Sequence, residues 1–160
     1  MATSESELVD DEAVHEVPSS YMPEGMPLPM ASPDGLDTEF WDATKRHELV
    51  VQRCNACGKL QFGPEWICHQ CYSSDLGWTK VEPRGKIYSW ERPWHPVHPA
   101  LKDFGPYIVV LVELPGAENL RMIGNLLGDP LQDVVIGADV VAEFEDHEDG
   151  PTLVQWRYAN

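Results

Sequence analysis

From Pro83 to the C-terminus, apolar residues fall in short runs separated by turn formers. The runs are Gly85 to Trp90, Tyr107 to Leu114, Leu120 to Leu127, Val140 to Phe144 and Thr152 to Tyr158. Between them stand Pro115-Gly116, Gly128-Asp129-Pro130, Gly137-Ala138-Asp139 and Asp149-Gly150-Pro151. Runs of this length with such separators predict strands, and five strands without a long helix predict a small closed barrel. The OB-fold, a partly open Greek-key barrel, has this strand count, and the count alone fits another small barrel equally well. Upstream, Phe40, Ala43 and Thr44 share one face of a short helix predicted from Thr38 to His47. Asp37 is its expected cap, and Lys45 and Arg46 lie near its end, where cations suit the helix dipole. The stretch 48–53 then reads as a strand. No internal repeat is found.

The first 36 residues have no such pattern. Pro18, Pro23, Pro27, Pro29 and Pro33 stand too close together for a helix or a central strand, so this segment is expected to be an extended arm. A solvated tail has little use for Tyr21, Met22, Met26, Leu28 and Met30, which favours an arm ordered against a partner. The chain thus divides into an acidic, Pro-rich arm (1–36), a helix with a metal module (37–82) and a barrel (83–160).

The metal module rests on four cysteines, spaced Cys54-x2-Cys57, ten residues, Cys68-x2-Cys71. Each C-x-x-C forms a knuckle presenting two thiolates, and two knuckles complete a tetrahedral shell of four. Gly58 supplies the positive φ that such a knuckle often needs. A full shell leaves no open coordination position, so one structural zinc ion per chain is expected rather than a Lewis acid. Iron in a rubredoxin-like site and a redox dithiol pair are the alternatives. His69 is expected to be an exposed knuckle residue. Phe62 and Trp66 are expected to cover the apolar side of the site, and Trp78 to pack where the metal module meets the barrel.

Charge narrows the function. The net charge is −16, but residues 1–40 hold ten acids and no Lys or Arg, while 45–102 hold nine of the eleven basic residues against five acids. An anion would be accepted only in the middle. Counterion-release binding needs clustered Lys and Arg, so nucleic acid is not an expected partner even for a zinc ribbon beside an OB-like barrel. No apolar run reaches the roughly 18 residues of a membrane span and the N-terminus is acidic, which points to a cytoplasmic protein with reduced thiols and no membrane contact.

With every cysteine assigned to metal, no thiol remains for nucleophilic catalysis, and no G-x-S-x-G elbow, phosphate loop or dinucleotide fingerprint occurs. The segment from Glu91 to Phe104 joins the first two barrel strands. Its Trp94, His95, His98 and Phe104 make it a candidate recognition loop for a partner or substrate channel. His95 and His98 offer an acid/base pair or a second metal site only on an irregular, Pro-flanked loop.

Phe40-Trp41 to Leu49, Arg53 to Gly58, Cys68 to Cys71, Gly85 to Trp90 (G-K-I-Y-S-W) and Ile136 to Val140 (I-G-A-D-V) together resemble the zinc-ribbon, OB-fold proteins of the "domain of unknown function 35" family. The likeness covers about residues 37–158. It implies a mainly β fold: N-terminal arm and short helix, rubredoxin-like zinc ribbon, then a five-stranded OB-fold barrel. It further implies a non-catalytic, zinc-binding subunit of a heteromeric acyl-CoA thiolase. In that role the chain shapes the acyl-CoA site and stabilises a complex, such as α2β2, with a thiolase-fold catalytic subunit. A subunit of an acyl-CoA retro-aldolase is the alternative within the family, and a nucleic-acid-binding module the alternative outside it. The four cysteines carry over position by position; His69 stands where many members have Pro. The family has no anion motif to carry over, so Arg84, Arg92 and Lys102 are candidate CoA contacts from charge and loop position alone.

Overall fold

The computed structural model describes residues 22–159. The expectations for residues 1–21 of the arm therefore lie outside the described residues. Helix α1 (Thr38–Lys45) is followed by β1 (Leu49–Cys54), β2 (Leu60–Gln61), β3 (Leu76–Val81), β4 (Arg84–Glu91), β5 (Val109–Leu114), β6 (Leu120–Asn125), β7 (Asp139–Glu145) and β8 (Leu153–Tyr158).

Two antiparallel sheets result. The first has the order β2-β1-β3, and the second β6-β5-β4-β7-β8. A parallel bridge from Leu126 to Trp156, with Leu127 N–H donating to the Trp156 carbonyl at 2.7 Å, draws β6 toward β8 and closes the second sheet. Meander, crossover and closure in this order are those of an OB barrel. Burial alternates along β5, with Val110, Val112 and Leu114 inside. With Ile87, Ile108, Met122, Leu126, Val140 and Trp156 they make the core. Trp156 is fully buried, and Gly124 makes room for it: a Cβ there would lie 2.8 Å from the indole and 2.7 Å from the Val154 carbonyl.

Two local expectations are corrected. The helix ends at Lys45, because His47 turns left-handed (φ 56°). Its N–H then reaches Thr44 O and the Glu48 N–H reaches Ala43 O, a Schellman closure made by a residue other than glycine. Asp37 precedes the helix but does not cap it with its side chain. Its carboxylate accepts instead from Ser32 N–H at 2.7 Å and Trp41 Nε1 at 2.9 Å, fastening the end of the arm to the helix.

Strand β3 is absent from the sequence-based expectation. It pairs with β1 along its whole length, from Leu49↔Val81 to Cys54↔Leu76, and leads directly into β4. Leu49, Val51 and Val81 join the barrel's core cluster, so the ribbon's sheet is built onto the barrel.

Candidate metal centre and surface sites

Strand β1 ends on Cys54, and the two knuckles beyond it repeat one hydrogen-bond pattern. In the first, Gly58 N–H donates to Cys54 O at 2.8 Å and Cys54 N–H to Lys59 O at 2.9 Å. In the second, Tyr72 N–H donates to Cys68 O and Cys68 N–H to Ser73 O, both at 2.9 Å. The residue four beyond the first cysteine is left-handed in each, Gly58 at φ 77° and Tyr72 at φ 61°. Glycine adopts this readily, whereas tyrosine does so only where the surrounding structure holds it.

All four sulfurs lie within 4.8 Å of one another, with Cys54 to Cys71 and Cys57 to Cys68 each 3.6 Å apart. A tetrahedral zinc with bonds of about 2.3 Å requires sulfur separations of about 3.8 Å, so the cluster has the right size for the ion. N–H groups of Cys71 and Gln70 face the Cys68 sulfur and pull that thiol down to about 6. At Cys57 the Lys59 N–H acts in the same direction. Partial desolvation and the sulfurs of Cys71, Cys68 and Cys54 outweigh it and push that thiol up to about 12. One thiol is thus pulled down while its neighbour Cys57 is pushed up, and a shared cation that takes up the thiolate charge suits such a cluster, which is the chemistry of a metal site.

Two buried glutamines brace the second knuckle. Gln52 and Gln61 face each other across β1 and β2, with Gln61 Nε2 donating to Gln52 Oε1 at 2.8 Å. Gln52 also accepts from Glu65 N–H and donates to Glu65 O, while Gln61 donates to Ile67 O and accepts from His69 N–H. Every strong polar atom of the pair is thereby used on the loop that delivers Cys68. The signal available in the sequence is a glutamine inside each of two otherwise apolar stretches, Val50-Val51-Gln52 and Leu60-Gln61-Phe62.

His69 is exposed, as expected. Trp66 is not a cover for the site, being 59% exposed. Phe62 turns toward Phe40, at 5.6 Å between ring centroids, and packs on the barrel's core cluster; Trp78 is half-buried on β3.

The candidate CoA contacts do not share one pocket. Arg84 lines an open cavity of about 500 Å³ with Glu82, Pro115, Gly116, Asp139 and Val141. Arg92 lies over the Trp90 ring at 5.3 Å and donates to the Gln132 carbonyl, and neither it nor the exposed Lys102 lines that cavity. In the loop, Trp94 is 67% exposed, His95 is exposed and Phe104 is half-buried. His98 has a local structural task, accepting the Ala100 N–H through Nδ1 at the start of the turn Pro99–Leu101. Among the described residues, three or more metal-capable side chains converge only at the cysteines. The outer face of β4, β5 and β6 carries an apolar trough of about 220 Å³ that sequence reasoning missed. Its lining includes Trp90, Val109, Leu111 and Ile123, the last 65% exposed.

Residues 41–77 match the ChsH2 rubredoxin-like zinc ribbon domain and residues 78–145 the ChsH2 C-terminal OB-fold domain. A chain of the solved Ltp2-ChsH2(DUF35) aldolase superposes with a TM-score of 0.71 and 33% identity, over 82% of this chain and 99% of that one. The chain belongs to the ChsH2 (DUF35) family.

Other members differ in what they are part of. A probable enoyl-CoA hydratase alpha subunit of Thermomonospora curvata is 37% identical over 77% of this chain. The 3-oxo-4,17-pregnadiene-20-carboxyl-CoA hydratase alpha subunit of Mycobacterium tuberculosis is 35% identical over 88%. This ChsH2-family chain spans only 38% and 42% of those two proteins' lengths. The benzoylsuccinyl-CoA thiolase subunit BbsA of Geobacter metallireducens is 35% identical over 51% of each chain. Among the described residues, no helix is long and apolar enough to cross a membrane.

Proposed function

We propose that this chain is a non-catalytic subunit of a heteromeric acyl-CoA enzyme, cytoplasmic and partnered by a thiolase-fold catalytic subunit. One zinc ion held by Cys54, Cys57, Cys68 and Cys71 keeps its ribbon folded. The observation that carries this reading is the match along 99% of a chain from an Ltp2-ChsH2(DUF35) aldolase, at 33% identity.

The chain's own chemistry agrees. All its cysteines sit in one closed cluster, and His98, one of the two loop histidines, is spent on a local turn. Exposed Ile123, Trp94 and Val97 supply apolar surface of the kind that partner subunits cover. A net charge of −16 disfavours a nucleic-acid role.

Between the two family alternatives, the length of the aldolase match favours an aldolase complex. A thiolase complex, the preference from sequence alone, is the second reading and is supported by the BbsA match. In either, the acyl-CoA thioester lies between the two subunits, with Arg84 at the mouth of its cavity the first candidate for the anionic part of CoA. Arg92 and Lys102 are further candidates.

The test is purification of the tagged full chain from its native extract, with mass spectrometry and zinc analysis. A thiolase-fold protein in near-equal amount and about one zinc per chain are expected. Acyl-CoA turnover by the isolated chain would overturn the reading, as would its recovery without a thiolase-fold partner.

A further inference from the structure

Trp66, expected to shield the cysteine cluster, is exposed instead, and two further large side chains of the second knuckle are exposed with it. Ile67 is 47% exposed and Tyr72 75%. The loop that carries them is nevertheless fixed. Gln52 holds both the N–H and the carbonyl of Glu65, and Gln61 holds the Ile67 carbonyl and the His69 N–H, so the backbone around Trp66 and Ile67 is fastened from inside. The bonds from Tyr72 N–H to Cys68 O and from Cys68 N–H to Ser73 O bring the two ends of the knuckle alongside each other.

Tyr72 is the informative residue. Its φ of 61° is a conformation that a non-glycine residue holds at a cost, and the first knuckle fills the equivalent position with Gly58. Among the described residues, the Tyr72 side chain has no hydrogen-bond, ion-pair or ring partner. The strain is thus not offset by burial within the chain, and the ring is placed for a contact outside it.

Charge and area select the occupant. Residues 63–75 contain no Lys or Arg, while Glu65 and Asp75 are exposed. Asp34 of the arm, which accepts from Ser32 Oγ and the Leu36 N–H, also interacts with the Trp66 side chain. Two copies meeting here would set acid against acid, on chains of −16 each. With about 400 Å² of exposed side chain on each patch, they would bury only about 800 Å², short of the roughly 1,200 Å² at which stable complexes begin. A second copy is disfavoured on both counts, and a different protein with a basic rim is favoured.

Resting on the heteromeric reading above, we propose that Trp66, Ile67 and Tyr72 anchor this chain to its catalytic subunit, entering an apolar recess there that is rimmed by Lys or Arg. A fixed loop presenting two aromatic rings gives large contact area at low ordering cost, and forms the centre of a wider contact. The cysteine cluster and the glutamine pair then share one task, which is to present the knuckle rigidly.

The experiment measures binding of the full zinc-loaded chain to the thiolase-fold protein that it recovers from native extract, for wild type, Trp66→Ser and Tyr72→Gly. Tyr72→Gly relieves the left-handed residue, so a purely structural role predicts no loss of binding. The expected result is a Kd weakened about thirtyfold by Trp66→Ser and about fivefold or more by Tyr72→Gly, with zinc content and amide dispersion retained. Glu65→Lys is expected to weaken binding as well, and added salt to weaken the wild type. Binding by Trp66→Ser and Tyr72→Gly within about twofold of wild type would overturn the docking site and leave the heteromeric reading standing. A wild-type chain that recovers no thiolase-fold protein would overturn both. A wild-type homodimer that Tyr72→Gly dissolves would give the patch to a second copy and overturn the proposal. If Trp66→Ser loses zinc, Tyr72→Gly decides alone.

Discussion

The ribbon and the barrel are held together by different means. The barrel keeps a continuous apolar interior from Ile87 to Trp156, whereas the ribbon from Gln52 onward has a glutamine pair and four sulfurs where a core would be. A module of this size cannot bury enough apolar surface to offset its chain entropy, and a metal supplies the difference. Order in the ribbon is therefore expected to depend on an ion, while the barrel carries its own apolar core.

Metal removal breaks the comparison most sharply. Structural zinc in zinc-finger peptides contributes about 10–16 kcal/mol of apparent binding free energy at neutral pH. Chelation, or Cys54→Ser, is expected to release zinc and abolish the amide signals of residues 55–75, while β5 and β6 keep their dispersion. Zinc titration with amide NMR checks this; a ribbon that stays ordered without metal would refute the division of labour. The converse experiment is Gly124→Ala, which drives a methyl group into the Trp156 indole and the Val154 carbonyl. It is expected to cost about 1–3 kcal/mol or more, read by denaturant unfolding, and to leave zinc stoichiometry unchanged. Smallest is Gln52→Ala, which removes one of the acceptors of Gln61 Nε2 and takes the side-chain partner from both the N–H and the carbonyl of Glu65. A buried group left unpaired costs about 1–3 kcal/mol in principle. Because the neighbouring loop can admit water, the lower end is expected, seen as faster zinc loss to a chelator with barrel stability preserved.

The same contrast decides what could be read from the sequence. The barrel strands announce themselves as short apolar runs between turn formers, as at Val109–Leu114, and the knuckles by C-x-x-C, since both signals are local. Strand β3 escapes because Gly77, Thr79 and Lys80 interrupt its apolar residues and only Val81 is fully buried; its stability comes from β1, more than twenty residues away. The glutamine pair escapes because its meaning lies in a register that no local pattern encodes. Asp37 looks like a cap from its position, but a tryptophan one turn later offers its carboxylate a donor, and tertiary context overrides the propensity. The resting place of the arm is illegible for a further reason: proline-rich segments have no periodicity until a surface gives them an inside and an outside.

Strand β1 belongs to both regions. Leu49 and Val51 are part of the barrel's interior, Gln52 steadies the loop that delivers Cys68, and Cys54 is one of the four clustered cysteines, all within six residues. A substitution in this strand is answerable to oil-like packing at one end and to coordination chemistry at the other. The two modules thus cannot drift apart in evolution as freely as beads on a string. A graft that moves this ribbon onto another barrel would have to carry β1 with it and recut the recipient's interior to receive Leu49 and Val51.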